Sequence, residues 1–322
     1  MTSREDSDAA TYRQFLPVLD APRFTTMKKQ NAQEYAEVFK DKGNPPWLHG
    51  LYKHWMSLLE EPFKGITSDV ESPTIMNKFS YNFVLFSRPQ TDSPWGFSLY
   101  GHHLCLNVFF YKTQLVISPW FTGAEPNVID DGPYKGTRIL DVEERLGLQL
   151  MQNLNVTQQS QAQIYRDMHD KAMPKGRWNQ DDQRHLCGAY RDNCVVPYEG
   201  ILVSNMEDAQ KSIVEKIFEQ YLLYLPDKAR EIRLDNIRHW FHETYFCWIG
   251  GFADQDPFYY RLQSPVVIIE FDHHSGVFLT NSEPAKFHIH TLLRTPNAGD
   301  YGMALRALIP EKEQRFVWEE NA

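Results

Sequence analysis

The sequence has few cysteines and no excess of positive charge. Its four cysteines, Cys105, Cys187, Cys194 and Cys247, form no CxxC pair. This spacing argues against a thiolate zinc site or a disulfide framework, and it favours buried, reduced thiols. The chain carries 33 Lys and Arg against 42 Asp and Glu, for a net charge of -9. It therefore lacks the basic field that a nucleic acid backbone requires, and we expect no nucleic acid partner.

Long apolar runs and the common catalytic motifs are also missing. No stretch approaches the length of a membrane span, and residues 1–24 carry charges where a signal peptide has an apolar core. We therefore expect a cytoplasmic protein without a membrane partner. The sequence contains no GxSxG, GxxxxGK[ST], GxGxxG or HExxH motif. These absences argue against a nucleophile elbow, a phosphate loop, a dinucleotide fold and a zincin.

The composition is that of a folded chain. Hydrophobic residues make up 42% of 322 residues and aromatic residues 14%, which is enough for a large core. We predict a flexible arm over residues 1–25 and one α+β catalytic domain over residues 26–322. Residues 171–200 are polar and irregular, and a loop of that length in a compact domain indicates a lid or a surface excursion.

Periodicity places helices and strands in alternating blocks. Helical patterns cover residues 28–42, 47–61, 141–154, 158–170, 206–225 and 227–237. Strand patterns cover residues 78–88, 95–100, 102–111, 114–121, 240–249, 258–262, 266–273, 276–280 and 286–293. The blocks predict an α+β fold, in which both halves of the chain build an extended antiparallel sheet with helices packed on one side.

The richest stretch for chemistry is Ser264–Gly302, and within it His288 and His290 are two residues apart. Because side chains alternate along a strand, both imidazoles project to one face. Imidazole is the commonest ligand of transition metals, and a catalytic metal takes about three protein ligands and an open position. We predict that these two histidines bind a metal, with a third ligand from His103, His102 or a carboxylate.

The two early histidines are adjacent in Gly101-His102-His103-Leu104. On a regular strand they point to opposite faces, so only one reaches a given site unless a bulge re-aims the other. His103 shares a face with Cys105 and Asn107, which is the more polar face. The pattern therefore favours His103.

Carboxylates accompany the histidines. Glu270 and Asp272 share one strand face, and we interpret them as a metal ligand, a support for a ligand, or catalytic groups. A purely structural alternative for Glu270 is a buried ion pair with Arg294 or Arg261. His273 and His274 begin a turn, where exposed histidines are ordinary, so their place in the site stays open.

Two blocks of sequence resemble a known family. The segments PWGFSLYGHHLCLNVFFY with ISPWFTGAEP, and FYYRLQSPVVIIEFD with FHIHTLLRTPNAGDYG, are similar to the signature blocks of the domain of unknown function 3500 family of bacteria and fungi. The resemblance covers about residues 50–310 and delivers no activity. It implies that the family-motif positions are occupied here by His102, His103, Glu125, Glu270, Asp272, His288, His290 and Arg294. The turn after His273 resembles the fungal branch, for which we expect enzymes of secondary metabolism.

Three functional interpretations follow. The first is a non-haem iron or copper oxidoreductase that binds O₂ and a small organic substrate, held through a carboxylate by Arg294. The usual iron triad has a carboxylate two residues after its first histidine, and His290 occupies that position here. The second is a zinc hydrolase with Glu270 or Glu125 as the base. The third is a ligand-binding protein without catalysis.

The oxidoreductase is preferred because the chain is rich in aromatic residues that could build a dry pocket. The residues expected to line it are Trp95, Phe97, Tyr245, Trp248, Tyr259 and Tyr260.

Overall fold

The computed structural model describes residues 28–31, 82–131, 134–178, 182–188, 195–276 and 281–309. The predicted arm (1–25), the predicted helix at 47–61 and most of the predicted strand at 276–280 lie outside these residues. The prediction of a helix from Lys28 is wrong at its start. Lys28–Asn31 is a strand that pairs antiparallel with Asn82–Phe86.

The described residues form one eleven-stranded sheet. Its strands are β1 (Lys28–Asn31), β2 (Asn82–Phe86), β3 (Trp95–Gly101), β4 (Leu104–Tyr111), β5 (Gln114–Ala124), β6 (Gln163–Tyr165), β7 (Ile201–Leu202), β8 (Tyr245–Gly250), β9 (Phe258–Gln263), β10 (Ile268–His273) and β11 (Ile289–Arg294). The spatial order is β1-β2-β3-β4-β5-β11-β10-β9-β8-β6, and β7 pairs with β8. Only β6 and β8 run parallel among these strands. The α+β prediction is confirmed.

Each half of the chain contributes a meander to this sheet. Strands β2 to β5 follow one another as antiparallel neighbours, and Lys112–Thr113 is the two-residue turn between Tyr111 and Gln114. Strands β8 to β11 form the second meander. The two halves join where β5 pairs antiparallel with β11, with Gly123 opposite His290. This seam brings the early and late histidines to the same part of the sheet.

Four α-helices occur in the described part of the chain: α1 (Asp141–Asn153), α2 (Val156–Ala162), α3 (Asp208–Tyr221) and α4 (Asp227–His239). The predicted helix at 158–170 is shorter and starts earlier, because Asn155 caps α2 through a reciprocal capping box with Gln158. The chain then enters β6. The N-cap of helix α1 is Leu140, whose side chain makes no capping hydrogen bond.

The two faces of the sheet differ in chemistry. Ile269, Phe271 and Leu293 belong to the main apolar core, which also contains Leu150 of α1 and Ile217 of α3. The predicted packing of helices on one side follows from this alternation. Glu270, Asp272 and His290 project from the other face. Residues 182–188, which we call the covering segment, lie over part of that face and bond to both carboxylates.

A search of the described residues finds no helix that is long and apolar enough to cross a membrane.

Candidate metal centre

Three histidines converge at the seam between β5 and β11. The Nε2 atom of His290 lies 3.0 Å from Nε2 of His288 and 3.2 Å from Nε2 of His103. All three ligand nitrogens lie within 4.8 Å of one another. His288 is buried, and His103 and His290 are half-buried. We call these three residues the histidine triad.

Hydrogen bonds alone do not explain this packing. In a neutral imidazole, Nε2 carries either one hydrogen or one lone pair. The Nε2 of His290 faces two other ring nitrogens, so it cannot make two ordinary hydrogen bonds. A metal about 2.0–2.1 Å from each nitrogen would set pairs of nitrogens about 2.9 to 3.4 Å apart, for angles between right-angled and tetrahedral. Both short contacts of His290 fit that range.

His103 reaches the triad from a turn rather than from a strand. Gly101 pairs with Leu104, which leaves His102 and His103 as the two residues of a hairpin turn. His103 adopts a left-handed backbone conformation, with φ 55°. Its carbonyl accepts a hydrogen bond of 3.0 Å from the N–H of Gly123. The predicted start of a strand at residue 102 is therefore wrong, because the turn is what aims His103 at the seam.

His102 lies beside the triad and is not part of it. Its ring centroid is 3.9 Å from that of His103, with the planes tilted by 40°. Burial lowers the pKa of His102 to about 4. The structure thus separates the two early histidines that the sequence offered as ligands, and it brings only His103 together with His288 and His290.

The triad is held in the neutral form that a metal requires. Burial, followed by the charge of His274, lowers the pKa of His288 to about 3. Burial also lowers the pKa values of His103 and His290 well below the usual range, and the neighbouring imidazoles add to this effect. At neutral pH all three rings are therefore uncharged, with lone pairs free for coordination.

Glu125 lies behind His288. Its Oε2 atom is 3.7 Å from Nδ1 of His288, and both side chains are almost fully buried. A ligating imidazole usually directs its second nitrogen at a carboxylate or carbonyl, which fixes the tautomer and the ring orientation. Glu125, predicted as a catalytic residue, lies on this side of the His288 ring, at a separation longer than a hydrogen bond.

Asp272 and His274 pack against the triad from the side of β10. The ring of His274 stacks on His290, with 3.9 Å between centroids and 23° between planes. Nδ1 of His274 lies 3.2 Å from Oδ2 of Asp272. Asp272 also accepts two hydrogen bonds from Arg184, at 2.6 and 3.0 Å. Burial alone would raise the pKa of Asp272, but Arg184 and His274 outweigh it and hold this pKa at about 2.

Glu270 binds the covering segment. Its two oxygens accept hydrogen bonds from the N–H groups of Leu186 and Cys187, both at 2.8 Å, and Tyr259 donates a third at 2.6 Å. Arg261 makes its hydrogen bond to Glu199 at 2.8 Å and not to Glu270, but its charge still contributes to lowering the pKa of Glu270, as the alternative of a buried ion pair predicts. Glu270 shares a face with Asp272, as predicted.

Arg294 lies on the same strand as His290, four residues further along. That spacing places it about 13 Å away along the strand. It pairs with Asp300 at 2.7 Å and donates to the carbonyl of Cys187 at 3.0 Å. The structure therefore brings Arg294 to the end of the covering segment and not to the triad.

His273 takes the opposite face from His274. Its Nδ1 accepts a 3.0 Å hydrogen bond from the N–H of Phe258, and its Nε2 lies 3.2 Å from Glu144 of α1. The adjacent histidines therefore separate, with His274 near the triad and His273 in the helix-side core.

The predicted aromatic pocket is mostly elsewhere. Trp95, Phe97, Trp248 and Tyr260 lie in the main apolar core on the helix side. Only Tyr259, through its bond to Glu270, belongs to the polar face near the triad. Strand alternation places consecutive aromatics of β9 on opposite faces, so a run of aromatics does not gather around one site.

Sequence reasoning missed several residues around the triad. Gly123 lies in a block that resembles the family but carries no reactive group, and its place opposite His290 makes room for the ring of His103. Arg184 and His185 fall in a segment whose polar composition predicted a loop, yet both are almost fully buried. Their segment is buried because Arg184 bonds to Asp272 and Leu186 bonds to Glu270, and these partners lie some 85 residues away in the chain. A pattern of neighbouring residues could not predict such contacts.

Comparison with known proteins is consistent with the resemblance in the sequence. No curated protein and no solved structure gave a significant match to the chain. A family model, described as "Protein of unknown function (DUF3500)", matches residues 20–303. This match includes all three histidines of the triad and covers most of the chain, so the protein belongs to the DUF3500 family.

Proposed function

We propose that the protein is a metal-dependent oxidoreductase, with non-haem iron or copper held by His103, His288 and His290. It acts on a small organic substrate with O₂ as the oxidant. The observation that carries this proposal is the close approach of three buried or half-buried imidazole nitrogens, at 3.0 and 3.2 Å from the shared Nε2 of His290. Imidazole suits iron, copper and zinc, and such an arrangement leaves coordination positions for other ligands.

The ligand set is uncharged. The three imidazoles neutralise none of the charge of a divalent cation, because burial keeps them neutral. The cation would therefore attract small anions and oxygen ligands strongly in this low-dielectric setting. When bound, a redox-active metal would supply electron transfer to or from these ligands, which no side chain of the triad can do alone.

The carboxylates favour the oxidoreductase over the zinc hydrolase. A hydrolase needs a base beside the metal-bound water. Glu270 accepts two backbone hydrogen bonds and one from Tyr259, and Asp272 pairs with Arg184. Glu125 faces Nδ1 of His288, on the far side of the ring from the coordinating nitrogen. The acids proposed as bases thus have structural or orienting roles.

Metal analysis of protein purified without a histidine tag tests the proposal. We expect about one iron or copper per chain, and consumption of O₂ by the reduced, metal-loaded protein. The His288→Ala/His290→Ala variant should lose the metal and keep its secondary structure. Stoichiometric zinc without a redox metal would support the hydrolase instead. Absence of any metal from well-folded protein, before and after incubation with iron, copper or zinc, would overturn the proposal.

A further inference from the structure

The covering segment is fastened over the polar face on both sides of His185. Arg184 bonds to Asp272 and to the carbonyl of His273 at 2.8 Å. Two residues later the backbone of Leu186 bonds to Glu270. These contacts fix the residue between them, His185, above β10 and close to the triad.

One nitrogen of the His185 ring takes no part in fastening the segment. Its ring is 1% exposed, and its Nε2 is buried without a hydrogen-bond partner. A buried polar atom left without a partner costs about 1–3 kcal/mol. Such a group calls for an explanation, and a bound ligand or water is a common one.

The ring of His185 lies near His290 of the triad. Its centroid lies 6.4 Å from that of His290, at an interplanar angle of 89°, and 6.1 Å from that of Tyr259. A centroid separation of this size leaves the nitrogens of the two rings too far apart for a direct hydrogen bond. His185 also supplies no ligand atom to the group of His103, His288 and His290, whose ligand atoms lie within 4.8 Å of one another. One small molecule between His185 and His290 would bridge the separation.

We propose that His185 binds the small ligand that occupies an open coordination position of the triad's metal. The ligand class is a water, a small anion or an oxygen molecule, with a hydrogen-bonding atom directed at Nε2 of His185. The proposal rests on the proposed function, because it requires a metal at the triad. In this arrangement the ligand contacts the metal on one side and His185 of the covering segment on the other.

Azide is a suitable probe, because it coordinates metals through one end and accepts hydrogen bonds. Cobalt(II)-loaded protein is titrated with azide and followed by visible absorption. The His185→Phe variant keeps a ring of similar shape but lacks the nitrogen. We expect it to bind one cobalt with unchanged affinity and to bind azide about tenfold more weakly. His185→Gln, whose amide can hydrogen-bond, should recover most of the azide affinity.

Leu186→Ala is the matched control, since it alters a neighbouring side chain of the same segment and leaves His185 in place. Unchanged azide affinity in His185→Phe would overturn the inference. An equal loss of azide affinity in Leu186→Ala would also overturn it, because the effect would then come from a loosened segment. Loss of cobalt from His185→Phe would make His185 a metal ligand instead. Failure of the wild-type protein to bind cobalt would refute the proposed metal site itself.

Discussion

The imidazole ring of His103 lies against the α-carbon of Gly123, so closely that a β-carbon on Gly123 would be 2.7 Å from Cδ2 of His103. Real β-carbons do not make such contacts, so a side chain here must displace the ring or the backbone. Gly123 stands opposite His290 in the pairing of β5 with β11. Because Gly123 has no side chain, the ring of His103 can approach His290.

Gly123→Ala should therefore weaken metal binding by moving His103. We expect at least a tenfold loss of affinity, in line with changes that disturb ligand orientation. Isothermal titration of the metal-free protein with the native metal measures this. In the His103→Ala background the same substitution should cost little more, because the ring that it displaces is already absent. Additive losses would show that Gly123 acts independently of His103.

Removing the charge of Asp272 should destabilise the fold. Asp272→Asn leaves the buried guanidinium of Arg184 without its counterion, and breaking a buried pair costs about 3–5 kcal/mol. Urea unfolding measures the loss. Asp141→Asn, which removes the partner of Arg138 in an exposed pair, should cost no more than about 1 kcal/mol. Equal costs for the two variants would contradict the structural role of Asp272.

Glu125→Gln should weaken metal binding without removing a ligand. The carboxylate lies 3.7 Å from Nδ1 of His288, and loss of such a partner reduces affinity about 10–100-fold. The matched control is Glu283→Gln, because the side chain of Glu283 is 80% exposed. Competition with a chelator compares the two variants. Equal metal affinities of the two variants would show that Glu125 does not support metal binding.

The metal-free protein should lose stability as the medium becomes acidic. The pKa of His288 is about 3 in the folded chain, against an ordinary value of 6.5. Between these values the unfolded chain binds a proton that the folded chain does not, so the free energy of unfolding falls as pH falls below 6.5. Above 6.5 both states are neutral and this contribution is constant. The slope for one such histidine is at most about 1.4 kcal/mol per pH unit.

Urea unfolding at pH 7, 6 and 5 in the presence of a chelator gives this slope. His288→Asn removes the titrating group and should make the dependence shallower. The same slope in the variant and the wild type would show that His288 is not held neutral by the fold.

Local patterns in the sequence predict the scaffold well. Alternation in β10 correctly places Ile269 and Phe271 in the core and Glu270 and Asp272 on the polar face. The same rule, applied to His288 and His290, predicts two imidazoles on one side, and their ring nitrogens are 3.0 Å apart. Such inferences succeed because they depend only on residues that are neighbours along one strand.

The residues that complete the site depend on contacts distant in sequence. His103 and His290 are 187 residues apart, and only the seam of β5 with β11 brings them together. From its sequence alone the covering segment resembles a solvated loop. It is buried because it bonds to Asp272 and Glu270 of β10, which are distant in the chain. Whether residues 171–200 act as a lid stays a prediction, although residues 183–185 are buried and fastened.

The most direct measurement compares the metal content of two single variants at adjacent positions. After identical purification without a histidine tag and loading with one equivalent of metal, His103→Ala should retain less than about a tenth of the wild-type metal, because a three-ligand site loses a ligand. His102→Ala, which removes the neighbouring ring outside the triad, should retain nearly all of it. Equal retention by both variants, or loss in His102→Ala alone, would contradict the account.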